Sequence, residues 1–138
     1  MNPASHLALL ARVPTILVTG TSAGARERCI AAHLAAQWTT DSDSSSIGPV
    51  GAILLEGLPD GLTTLTASPT LLIERIAPGC LCCTGNLVLR VTLNRLLRRR
   101  PAWLVIGLAT TEHLDQLRSW LQAPPYDQLL VLGPGLHA

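Results

Sequence analysis

The chain has 138 residues, of which 48% are hydrophobic and 14% charged, a balance that suits one folded domain and excludes intrinsic disorder. A domain of this size buries about 70% of the surface its unfolded chain exposes, so its four cysteines are not needed as disulfide staples. The formal charge of +1 creates no long-range field, so neither nucleic acid nor a membrane surface is expected as a partner.

All ten basic residues are arginine, and the sequence has no lysine. That excludes Schiff-base and lysine-base chemistry, and it excludes the phosphate-binding lysine of an ordinary P-loop. Phenylalanine is absent too, and three Trp with one Tyr leave little stacking surface for single-stranded nucleic acid. The uncharged stretches are too short or too broken by Pro and Gly to span a bilayer. The opening segment MNPASHLALLARVP has no basic residue before its apolar core, so a cytoplasmic location is expected. In that compartment thiols stay reduced, and clustered cysteines read as metal-binding or redox-active.

An arm over 1–13 precedes the domain, which is expected to fill 14–138. Pro14–Thr19 is a short β-branched run closed by Gly20, the pattern of a buried strand. Ala-rich sequence from Gly24 to Trp38 predicts a helix, and the polar run at 39–48 predicts a surface loop. Val50–Leu55 and Leu71–Ile76 read as the second and third strands. The loop 77–85 leads into a helix over 86–100, where Leu87, Val88, Val91, Leu93, Leu96 and Leu97 recur at helical spacing. Ala102–Leu108 predicts a fourth strand, 111–121 a short helix, and Gln128–Leu132 a fifth strand. His137 is expected near a disordered end. Strands alternating with helices imply an α/β fold with a mostly parallel, doubly wound sheet of about five strands.

Two loops carry the chemistry. The first, Gly20-Thr21-Ser22-Ala23-Gly24-Ala25-Arg26-Glu27, stands where a G-x-x-x-x-G-K-[ST] phosphate loop would. That motif needs its second glycine for close backbone approach, its Lys for the β/γ-phosphates and its hydroxyl for magnesium. Ala25, Arg26 and Glu27 hold those positions, and Glu27 would compete with the anion it should help bind. The second is Gly79-Cys80-Leu81-Cys82-Cys83-Thr84-Gly85, three thiols within four residues between a strand and a helix. Thiolates hold zinc at about 2.3 Å in tetrahedral geometry. Packing of some of these cysteines as small hydrophobes is the competing reading. One cluster in place of two separated ligand pairs leaves an open coordination position, which suits transfer or sensing. Arg75 and Arg90 could support the thiolate form, His113 and Glu56 could complete the shell, and Cys29 reads as core.

With these residues on the page, Thr15–Gly24, Val50–Leu62, GCLCCTGNL and Trp103–Ile106 together resemble the CobW-type metallochaperone GTPases over nearly the whole chain. That family is similar to the nickel-insertion GTPases of hydrogenase and urease maturation. The resemblance implies a three-layer P-loop fold, incomplete relative to the full GTPase domain. It also implies that Cys80, Cys82 and Cys83 are metal thiolates and that Glu56, in LLEGLPDG, matches the acidic residue of the family's N-E-F-G segment. Three parts of the family's GTPase machinery are altered. The phosphate loop lacks Lys and Ser/Thr. Gly107 and Thr110 replace the acidic residue and switch glycine after the fourth strand. No Asn-Lys-x-Asp guanine motif is present. GTP and magnesium are therefore not expected as cofactors, while zinc is. The expected function is that of a degenerate, non-catalytic zinc-binding or metal-homeostasis protein. Its expected partners are the metal ion, a metalloprotein client or a second copy. A weakly GTP-binding metallochaperone and a partner-binding module on the same scaffold are the alternatives.

Overall fold

The computed structural model describes residues 12–20, 22–38, 50–57, 65–76, 87–109 and 114–138. The elements run β1 (Val13–Thr19), α1 (Ala23–Trp38), β2 (Gly51–Glu56), β3 (Leu71–Ile76), α2 (Leu87–Arg98), β4 (Trp103–Leu108), α3 (Leu114–Leu121), a 3-10 turn (Tyr126–Gln128), β5 (Leu130–Leu132) and β6 (Leu136–His137).

The strands lie in the order β3-β2-β4-β1-β5, and every strand pairing is parallel. β5 pairs with Val13–Thr15 of β1 and β6 with Val18 and Thr19, so the two form one interrupted edge. Within the interruption the Gly133 amide donates to the Thr15 carbonyl at 2.8 Å. β6 corrects the sequence reading: His137 belongs to the sheet and not to a frayed end. Two residues flanked by Gly and Pro carry no periodic signal, so only pairing with β1 reveals them.

Alternation along β1 assigns the two faces. Leu17 packs with Leu54, Leu104 and Ile106 of the sheet and with Leu89, Leu93, Leu117 and Leu121 of α2 and α3. Val18 packs with Ile53, Leu55 and Val105 and with Ile30 and Leu34 of α1. A parallel sheet covered on both faces explains the near-continuous apolar runs of β2 and β4. Each fully buried Leu or Ile contributes about 1.5–3 kcal/mol against leaving it exposed.

In α2 the buried positions are Leu89, Thr92, Leu93 and Leu96, with Val88 and Val91 outward. Its last turn holds Arg95 and Arg98, favourable to the helix dipole. The helix stops at Arg98, before the expected Arg100, because Arg100 takes a left-handed φ of 50° and Pro101 cannot continue the ladder. Among the described residues, no helix is long and apolar enough to cross a membrane.

Candidate functional site

The carboxyl ends of β1, β2, β3 and β4 form one edge of the sheet, the edge at which open parallel sheets bind ligands. The glycine loop after β1 opens α1 here. Ser22 caps the helix, its Oγ accepting the Ala25 amide at 3.1 Å and its carbonyl accepting the Arg26 amide at 3.1 Å. Thr21 lies outside the described residues.

Arg26, at the lysine position of the loop, is 5% exposed. Its Nη1 donates to the Gly20 carbonyl at 2.8 Å and its Nη2 to the Glu56 carbonyl at 3.4 Å. The guanidinium thus joins the end of β1 to the end of β2 across β4. Glu27, at the hydroxyl position, is 2% exposed and its Oε1 meets Arg75 Nη2 of β3 at 2.7 Å. The sequence reading set Glu27 against a bound phosphate and Arg75 beside the thiols. The structure pairs the two with each other, a contact 48 residues apart that no local pattern announces.

Glu56 is buried, and its Oε1 accepts the Ala109 amide at 2.7 Å, tying β2 to the residue just beyond β4. Gly107 lies in β4 under the Leu55 side chain, where a Cβ would come 2.9 Å from Leu55 Cδ2. Apolar packing, and not an acidic group, occupies that place on the strand.

Cys80, Cys82, Cys83, Thr110 and His113 lie outside the described residues. Glu56 is the register partner of Ile76, and the Gly57 amide donates to the Ile76 carbonyl at 2.8 Å. The last residue of β3, Ile76, therefore lies directly beside Glu56. Arg90, the other arginine considered for the thiols, stacks over the Trp120 ring at 5.6 Å. Cys29 is half-buried against the α1-side core, as expected. Among the described residues no three His, Cys, Asp or Glu side chains come together as a metal-ligand group.

Chemically, the arrangement is an edge braced by its own charged side chains, with the second carboxylate oxygen of Glu27, Oε2, buried and making no hydrogen bond among the described residues. Two cations and two carboxylates, Arg26, Arg75, Glu27 and Glu56, bridge four strand ends with hydrogen bonds to one another or to backbone. Guanidinium N–H groups that would have to face phosphate oxygens are directed at carbonyls. No hydroxyl stands at the magnesium position.

A parallel sheet with a glycine loop between its β1 strand and the following helix has the organisation of P-loop proteins. Comparison adds a particular relative: the chain is 29% identical over 114 residues to "Zinc chaperone YeiR" of Escherichia coli (strain K12). The match covers 82% of this chain and 33% of that protein, so the chain spans about a third of the relative's length. Fold and relative together bear out the resemblance to the CobW-type family. No family model and no solved structure matches the chain.

Proposed function

We propose that this chain is a CobW-like zinc-binding protein whose glycine loop has become structural, and that it holds or hands over the ion without hydrolysing GTP. The observation that carries the reading is the direction of Arg26 and Glu27. At the two positions where a phosphate loop presents its cation and its magnesium hydroxyl, both side chains are buried and spent on the protein itself. Rotating Arg26 toward a phosphate would break two backbone hydrogen bonds, and freeing Glu27 would break its ion pair with Arg75.

Zinc as cargo is supported by the relative's name and by the soft donor set at Cys80, Cys82 and Cys83. Glu56 stands beside the strand end from which that segment departs, and with His113 it is the proposed source of any further ligand. Such a site, short of four thiolates, releases metal more readily than a closed structural site. A metalloprotein client and a second copy of the chain are the proposed protein partners. Leu129 and Val131, exposed at the β5 edge, favour association.

Titration with magnesium and GTP tests the nucleotide half of the proposal. Affinity weaker than micromolar, that is, less favourable than about −8 kcal/mol, is expected. Tighter binding or measurable turnover would show that Arg26 leaves its carbonyls for phosphate and would overturn the reading.

A further inference from the structure

On the sheet face opposite α1, β1, β6 and α3 line an open cleft of about 380 Å3 bordered by Leu17, Thr19, Leu114, Arg118, Leu136 and His137. Neither the zinc reading nor the glycine loop uses it. Two nitrogen-bearing side chains converge there, each held by its own hydrogen bond. Arg118 Nη2 donates to the Gly133 carbonyl at 3.2 Å. A Cβ placed at Gly135 would lie 3.6 Å from Arg118 Nη1. His137 Nδ1 lies 2.8 Å from the hydroxyl of Thr19, a residue 4% exposed whose Oγ1 also lies 3.4 Å from the Leu136 carbonyl. The imidazole is thereby oriented through Nδ1, which leaves Nε2 for a ligand. Among the described residues, no Asp or Glu lines the cleft and Arg118 has no ion-pair partner.

We propose that this cleft binds a small organic carboxylate. The Arg118 guanidinium carries five N–H donors in a planar fork that matches two carboxylate oxygens, and one donor is engaged by Gly133. The Thr19–His137 pair supplies a second polar wall, and Leu17 and Leu114 supply apolar cover for a carbon chain. The volume lies within the range of about 300–1,000 Å3 common to small-molecule sites, far above the roughly 30 Å3 share of a single water. A bare inorganic anion would leave most of it unfilled. An open cleft with apolar walls, one cationic fork and few polar groups favours an anion that carries its own hydrocarbon.

The test titrates hexanoate, inorganic phosphate and hexylamine separately into the full chain labelled with 15N. The amides of Gly133 and Gly135 and the indole of Trp120, two positions along α3 from Arg118, serve as reporters. Hexanoate is expected to shift all three saturably, hexylamine to shift none, and phosphate to bind more weakly than hexanoate. Arg118→Gln should lower hexanoate affinity about tenfold or more, the loss of a charge-assisted contact. Should that variant fail to fold, Arg118→Lys keeps the charge, removes the fork and is expected to weaken hexanoate severalfold. Absence of saturable binding by hexanoate, phosphate binding the tighter, or hexanoate affinity unchanged in the folded Arg118 variants would each overturn the assignment.

Discussion

Glu27 Oε1 lies 2.7 Å from Arg75 Nη2, the two side chains 2% and 24% exposed. The pair ties α1, the helix opened by the glycine loop, to the strand that leads into the cysteine segment. Arg26, one residue before Glu27, ties the same helix to the ends of β1 and β2. The positions that would serve a nucleotide therefore brace the edge from which the cysteine segment emerges.

Breaking this pair from one side should be costly. Arg75→Met leaves the Glu27 carboxylate buried without its cation, and a loss of about 3 kcal/mol is expected in urea unfolding, the lower end for a buried pair because Arg75 is partly solvated. Glu27→Leu combined with Arg75→Met removes both charges and should recover most of that loss. Additive effects of the two substitutions would mean that the pair contributes no coupling.

Much of this architecture was legible in the chain. The apolar runs at Pro14–Thr19 and Val50–Leu55 and the helical period of α2 are local properties. The glycine loop and the lost Lys and hydroxyl were equally visible. The destinations of the replacements were not. Arg26 to Glu56 and Glu27 to Arg75 are contacts between residues 30 and 48 positions apart, fixed only once β2 and β3 take their places in the sheet. β6 was missed for the same reason: Leu136 and His137 are a strand only because Val18 and Thr19 pair with them.

Gly51 is dictated by an aromatic ring. It sits opposite Trp103 in the β2–β4 register, and a Cβ there would come within 1.9 Å of the indole. Gly51→Ala should force Trp103 off its seat and lower stability by about 1–3 kcal/mol, as overpacking does. Thermal unfolding of Gly51→Ala with and without Trp103→Leu checks it. The double substitution should relieve the clash, and an equal loss in both backgrounds would refute the steric account.

Alkaline titration should expose Tyr126. Burial raises its phenol above the usual 10.0, with the Arg90 charge and the hydrogen bond to Asn94 opposing the rise. The folded state therefore holds its proton at a pH where the unfolded chain has begun to lose it. The neutral-phenol contribution is intact below pH 10.0 and is lost as pH climbs from there through the folded value. Unfolding measured across that window should show a decline that Tyr126→Phe reduces. An identical decline in the variant would place its origin in other groups.

Zinc stoichiometry is the measurement that bears most directly on the function. The wild-type chain and the Cys80→Ser, Cys82→Ser, Cys83→Ser triple variant would be prepared without affinity tags, under reducing conditions at neutral pH. One zinc per wild-type chain is expected, unchanged by added GTP, with affinity falling as pH drops because thiols of ordinary pKa about 8.5 must shed protons to bind. The triple variant should fold and carry none. Equal zinc in the two proteins, or none in either, would make the three thiols core residues and contradict the account.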